Sequence, residues 1–153
     1  MTLEVGQEAP DFTLVDEAKN SVTLSELRGR NVVLIFYPLD FSATCTRELK
    51  EIARTKEKYE AAGAEVFGIS VDSRHCHAAF KRDEELSARL LADFNPKGAV
   101  AKLYDNYLEE LGFAGRLTVV IDAQGVIRNI VRSGVGEVRD ADAYLETLAA
   151  CPV

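Results

Sequence analysis

The sequence predicts an α/β fold built on a mixed central sheet with helices on both faces, and three observations lead there. An unbroken apolar run, Val32 to Tyr37, lacks the alternation of a half-exposed strand and reads as a strand buried on both sides, and Ala64 to Val71, apolar but for Glu65 and Ser70, is the next strand. Between them, apolar positions at Leu49, Ile52, Ala53 and Tyr59 keep a helical spacing, so a helix joins the two strands and they run parallel. Leu117 to Ile121 and Val126 to Val131 flank Asp122-Ala123-Gln124-Gly125, a hairpin signal that adds an antiparallel pair.

The elements follow in order. Ala9-Pro10 is an extended entry, because the residue before a proline is pushed out of the helical region. Phe12 to Val15 and Val22 to Leu24 are short strands, and Thr23-Leu24-Ser25-Glu26 has the spacing of a capping box for one helical turn ending at Gly29. After the first buried strand, Pro38 stops the ladder and Ser42 is placed to cap a helix running from Ala43 to about Ala62, its oxygen accepting the Cys45 N–H. Gly63 ends that helix. Asp72 or Ser73 caps a helix from His75 to Glu84, and Ala88 to Asp93 is an apolar strand or turn. Pro96 opens a short helix, Lys97 to Tyr104, with Ala99, Val100 and Leu103 inward; Asp140 to Ala150 is the closing helix. The order β-β-α-β-α-β-α-β-β-α is a thioredoxin-like arrangement.

At 153 residues the chain suits a single domain, residues 1–153, large enough to bury about 70% of its unfolded surface. A net charge of −7 argues against nucleic acid, whose phosphates need a Lys/Arg surface, and against an anionic membrane surface. Met1-Thr2-Leu3-Glu4 begins no basic-then-apolar leader, and no apolar run approaches a bilayer span, so a cytoplasmic protein is expected. Three cysteines, at 45, 76 and 151, are too few for a disulfide scaffold. There is no Cys-x-x-Cys, which disfavours a dithiol oxidoreductase.

The chemistry centres on Cys45, where a central strand ends and a helix begins. The first helical turn carries unsatisfied N–H groups and the positive end of the macrodipole, which favour an anionic sulfur and can hold a partly anionic oxygen such as one end of a peroxide. On the residues alone each neighbour also has a bland reading: Cys45 a core cysteine, Ser42 only a cap, Pro38 a strand stop, Arg116 a solvated loop cation, Glu48 a surface carboxylate.

Pro38, Ser42 and Cys45 fit the pattern Pro-x-x-x-Thr/Ser-x-x-Cys of the peroxiredoxins, and Glu48 three residues further on fits too. Gly6 to Leu14 resembles the opening segment of that family, and Arg116 stands where its active-site arginine stands. Leu91-Ala92-Asp93-Phe94 and Gly136-Glu137-Val138-Arg139-Asp140 are most similar to the small alkyl hydroperoxide reductase E-type branch. Two departures stand out: Ser42 replaces the commoner Thr, and Thr46 replaces the Pro that usually follows the reactive cysteine.

The resemblance implies a thioredoxin-like fold and a thiol-dependent peroxidase that reduces hydrogen peroxide, organic hydroperoxides or peroxynitrite through a sulfenic acid on Cys45. It implies that the Ser42 hydroxyl and the N–H groups of Thr44 and Cys45 hold the peroxide, that Pro38 shields the sulfur, that Arg116 stabilises developing charge, and that Glu48 orients Arg116. No metal or organic cofactor is called for. Reducing equivalents come from a thioredoxin-, glutaredoxin- or low-molecular-weight-thiol-type partner, and a homodimer packed through the loops around the site is expected. Cys76, 31 residues downstream, is either the resolving thiol that forms an intramolecular disulfide or an incidental cysteine, in which case an outside thiol resolves a one-cysteine enzyme. Cys151 reads as structural or incidental. Other classes compete: a redox sensor or chaperone-like binding protein, or a zinc-binding module using His75-Cys76-His77. The last is disfavoured because consecutive helical residues do not share a face.

Overall fold

In the computed structural model residues 3–152 are described; Met1 and Thr2, which open the stretch read for a leader, and Val153 lie outside them. The sheet grows from β3 (Asn31–Phe36), whose six residues are all buried. Beside it runs β4 (Ala64–Ser70), parallel, with Phe36 opposite Ile69. β5 (Arg89–Ala92) continues the parallel set. On the other side β8 (Arg116–Ile121) pairs antiparallel with β3, and β9 (Ile127–Ser133) closes that edge. β1 (Thr13–Asp16) and β2 (Ser21–Thr23) extend the opposite edge, for the order β2-β1-β5-β4-β3-β8-β9. The mixed, thioredoxin-like sheet read from the sequence is the one observed.

Alternation along β3 sorts the core into two layers. Val33, Ile35 and Tyr37 pack with Leu49 and Ile52 of α1 (Ala43–Arg54), Tyr59 of α2 (Lys56–Ala61), Phe80 of α3 (Arg74–Glu84), and Tyr144 and Leu148 of α5 (Asp142–Ala149). Val32, Leu34 and Phe36 face the other way, onto Val100, Ala101 and Tyr104 at α4 (Ala99–Leu103). Burial of each such side chain contributes about 1.5–3 kcal/mol, so β3, covered on both faces, anchors the molecule.

Several local expectations are corrected. The helix expected to reach Ala62 breaks at Thr55, whose hydroxyl donates back to the Glu51 carbonyl at 2.9 Å and competes with the next helical bond. The Thr23–Glu26 box forms no cap bond: the Thr23 hydroxyl pairs with that of Thr13 across the strands at 2.8 Å, and Asp11 accepts the Ser25 N–H instead, over a 3-10 turn at Leu24–Leu27. α4 starts two residues later than read, and its buried face is Val100, Ala101 and Tyr104, with Ala99 and Leu103 exposed. The Asp93 carboxylate, accepting the N–H groups of Val100 and Ala101, sets both its start and its rotation. A two-stranded ribbon, β6 (Tyr107–Leu108) with β7 (Phe113–Ala114), had no counterpart in the sequence reading. No helix among the described residues is long and apolar enough to cross a membrane.

One position ties the sheet to what lies above it. A Cβ at Gly68 in β4 would meet Leu90 Cδ2 at 2.8 Å and Tyr37 Cε1 at 3.0 Å. Gly68→Ala is therefore expected to cost about 1–3 kcal/mol by overpacking, read as a lower urea midpoint at unchanged slope.

Candidate active site

The parallel strands β3, β4 and β5 end at one edge of the sheet, where α/β proteins place their sites. Register then brings in β8: Leu117 pairs with Phe36, so Arg116, one residue earlier, lies at the end of β3 where the chain turns into α1. Tyr37, Pro38, Asp40 and Cys45 are buried around that turn. Phe41 takes a left-handed backbone (φ 67°), which costs a bulky residue about 1–2 kcal/mol and is offset by its ring packing on Phe80 at 5.0 Å.

Ser42 occupies the N-cap position, but its hydroxyl does not cap. It donates to the Leu39 carbonyl at 3.0 Å, because the tight turn at Leu39–Ser42 offers an acceptor closer than the helix offers a donor. The first helical bond runs from Thr46 N to Ser42 O at 2.9 Å. The N–H groups of Ala43, Thr44 and Cys45 consequently have no acceptor among the described residues and face the loop as free donors.

Beneath them lies a buried charge cluster. Arg116 donates from Nη2 to Cys45 Sγ at 3.2 Å, from Nη1 to Glu48 Oε1 at 2.7 Å, and from Nε to the Val135 carbonyl. Arg139 grips the same carboxylate from the other side: Nη2 reaches Oε1 at 2.7 Å, Nε reaches Oε2 at 2.9 Å, and its backbone N–H reaches Oε2 at 2.7 Å. Its Nη1 also holds the Phe36 carbonyl at the end of β3. Burial by itself would push the Glu48 carboxyl up; the hydrogen bonds and charge of Arg139, then the charge of Arg116, outweigh it and hold the group below its ordinary range. Two guanidinium groups against one carboxylate leave one positive charge buried, and the contact through which it can be matched is the sulfur.

A second polar cluster lies under the same loop. Tyr37 donates to Asp40 Oδ1, and His77 Nδ1 lies 2.7 Å from Asp40 Oδ2. The His77 Nε2 lies 3.0 Å from the Leu91 carbonyl, which only accepts, so that nitrogen is the donor of the pair. The Asp40 N–H donates to Asp72 Oδ2, which also accepts from Ser70. The ligand atoms of Asp40, Asp72 and His77 lie within 4.8 Å of one another, but both ring nitrogens of His77 are engaged in the network. His75 is exposed, Cys76 half-buried and His77 fully buried, so the three consecutive residues point in different directions.

Of the residues singled out in the sequence, Cys45, Glu48 and Arg116 come together through hydrogen bonds, with Pro38 buried just after β3 and Ser42 and Thr44 half-buried at the start of α1. Cys76 lies apart, in the first turn of α3, where Ser73 accepts its N–H at 3.2 Å. All three cysteines are free thiols, and Cys151 is buried after α5, donating to the Thr147 carbonyl. Sequence reasoning missed Arg139 and the pair Asp40–His77. The one signal for Arg139 was its place in the segment Gly136 to Asp140; the pair had none, being 37 residues apart.

Comparison with known proteins adds a family context. The model of the AhpC/TSA family matches residues 5–130. Alkyl hydroperoxide reductase E of Mycobacterium tuberculosis is 38% identical over 149 residues, covering 97% of this chain and 97% of that protein. Peroxiredoxin-2 of Mus musculus is 36% identical over 157 residues, covering 96% of this chain and 78% of that protein. Among solved structures, the peroxidoxin BcpB from Mycobacterium tuberculosis is similar at a TM-score of 0.87 with 28% identity, covering 99% of both chains. Enterococcus faecalis AhpC has a TM-score of 0.87 at 26% identity, covering 98% of this chain and 92% of that one.

Arg139→Met takes two side-chain donors from the buried Glu48 carboxylate and one from the Phe36 carbonyl, so it is expected to lower stability by about 3–5 kcal/mol in urea unfolding at pH 7. The carboxyl of Glu48 is held below its ordinary 4.5, so its contribution is complete above that value and lost as pH falls through the lower folded one. The gap between variant and wild type therefore narrows in unfolding curves taken below about pH 4.5.

Proposed function

From the premise that the chain belongs to the AhpC/TSA family and is a peroxiredoxin-type, thiol-dependent peroxidase, we propose that Cys45 is its peroxidatic residue. The observation that carries this is the Arg116 guanidinium resting on the Cys45 sulfur within a buried cluster that has one positive charge in excess.

The sulfur anion attacks one peroxide oxygen, the O–O bond breaks, and the second oxygen leaves as hydroxide or alkoxide and takes a proton. Cys45 is left as a sulfenic acid. The open N–H groups of Thr44 and Cys45 and the donors of Arg116 meet the charge that develops on the two oxygens. Ser42 joins them once its hydroxyl turns from the Leu39 carbonyl. Pro38 forms the apolar wall, and Glu48, fixed by Arg139, keeps Arg116 in place. Reduced Cys45 is 0% exposed, so peroxide reaches it only as the loop from Pro38 to Ser42 gives way. Hydrogen peroxide, small organic hydroperoxides and peroxynitrite are the substrate class.

The sulfenic acid is resolved by Cys76 as an intramolecular disulfide, which a thioredoxin-, glutaredoxin- or low-molecular-weight-thiol-type reductant then opens. Supporting this, Cys76 starts the helix that follows β4, the strand next to β3, on the same edge as Cys45. A homodimer packs through the site loops: Leu39, Phe41, Phe94, Val135 and Val138 are all exposed around that edge. A reducing cytoplasmic setting suits three free thiols.

The test is intact mass after one equivalent of hydrogen peroxide on reduced protein, denatured for the cysteines and native for the assembly. Wild type is expected to lose two hydrogens, Cys45→Ser to stay unchanged, and Cys76→Ser to gain one oxygen, with the native mass that of a dimer. Oxygen gain on wild-type Cys45 without a disulfide would replace the internal resolution by an outside thiol. No rapid change at Cys45 would refute its peroxidatic role.

A further inference from the structure

The two cysteines on the site edge stand in opposite electrical surroundings. Cys45 touches a guanidinium, whereas the Cys76 sulfur faces a carboxylate, with Sγ 3.8 Å from Asp72 Oδ1. Burial first, then the charges of Asp40 and Asp72, push the Cys76 thiol up to about 12, against the pull of the helix start it occupies. At neutral pH Cys76 is a thiol, and the nucleophile that closes a disulfide is the thiolate. A resolving Cys76 therefore needs a local acceptor for its proton.

Asp72 is oriented for that task. Its Oδ2 is occupied by two donors, the backbone N–H of Asp40 at 2.8 Å and the Ser70 hydroxyl, and this fixes the carboxylate with Oδ1 toward the Cys76 sulfur. The Asp40 carboxylate is the less available base, since Tyr37 and His77 already hold both its oxygens.

We propose that Asp72 is the general base of the resolving step, taking the proton of Cys76 as that sulfur attacks the Cys45 sulfenic acid. The Cys76 S–H bond breaks and its proton passes to Asp72 Oδ1. The sulfur's electron pair forms the S–S bond, and the Cys45 S–O bond breaks with its pair leaving on oxygen. Asp72 returns the proton to the departing hydroxide, giving water and regenerating the carboxylate. Nothing external is consumed. The proposal rests on Cys76 as the resolving cysteine, and the step follows unwinding of the first turn of α1, which brings Cys45 to Cys76 while Cys76 stays beside Asp72. It also separates the two roles: without a sulfenic acid to attack, Cys76 stays protonated and is a poor target for peroxide itself.

The other groups facing this pair are Asp40, Tyr37 and His77 from the network beneath it. Across the cleft shared with Ser73 stand Lys19, from the turn between β1 and β2, and Arg74 and His75 on α3. His75 is exposed and is the imidazole of that cleft, so His75→Gln serves as the background for the pH series.

The experiment is a single turnover of reduced protein with one equivalent of hydrogen peroxide, acid-quenched and read by intact mass. Decay of the oxygen-added species into the disulfide isolates resolution from oxidation. With Asp72→Asn that decay is expected to slow by about 100-fold at pH 7. Wild type should resolve at a rate nearly flat between about pH 6 and 9, and the Asn variant at a rate rising about tenfold per pH unit as thiolate forms. Asp72→Glu, which keeps a carboxylate, should recover much of the rate and the flat profile. Resolution by Asp72→Asn within about threefold of wild type, with the same pH profile, would overturn the base role alone. Wild type that accumulates sulfenic acid and never forms the disulfide would overturn the role of Cys76, and with it this proposal.

Discussion

A guanidinium cannot be buried without an answer to its charge, and in this protein two of them share one carboxylate. Arg116 and Arg139 bracket Glu48 beneath the first turn of α1, each at 2.7 Å from Oε1, and all three are nearly fully buried. Such clusters are costly to assemble, and replacing them with apolar residues is often neutral for stability, so stability alone does not account for this one. What it delivers is position and surplus charge. Glu48 fixes one fork of Arg116, the Val135 carbonyl fixes another, and the remaining donor rests on Cys45.

The fold supplies this arrangement through register more than through any loop. β3 carries the chain into the active-site turn, and pairing of Leu117 with Phe36 brings Arg116 to the same height. Arg139 bonds the last carbonyl of β3 as well as Glu48, so strand, helix and the segment after β9 are fastened together at one point. A second fastening holds the underside of the turn: Asp40 is clasped by Tyr37 and His77, and its N–H by Asp72. The same edge of the sheet thus holds one cysteine against a cation and another against carboxylates.

Much of this was legible in the sequence, for identifiable reasons. The strand from Val32 and the helix after Cys45 were clear because a fully buried strand and an amphipathic helix leave different apolar spacings. Arg116 was placed by its resemblance to a family pattern, since the residues alone read it as a loop cation. Side-chain hydrogen bonds were the illegible part. Ser42 was given the right position and the wrong partner, because a local turn presented the Leu39 carbonyl. Thr55 broke a helix that periodicity carried onward, again through its hydroxyl. Arg139 and His77 are charged or polar residues buried by partners 91 and 37 positions away, and no local spacing encodes such pairs.

Everything at this site turns on the contact between Arg116 and the Cys45 sulfur, so the most direct measurement is the second-order rate of Cys45 oxidation by hydrogen peroxide in wild type and in Arg116→Met, which keeps the apolar stem and removes charge and donors. A loss of about 100-fold or more in the variant, with the folded state confirmed by circular dichroism, is the result predicted. A folded Arg116→Met that reacts within a few-fold of wild type would contradict it, and would place the source of Cys45 reactivity in the helix turn alone.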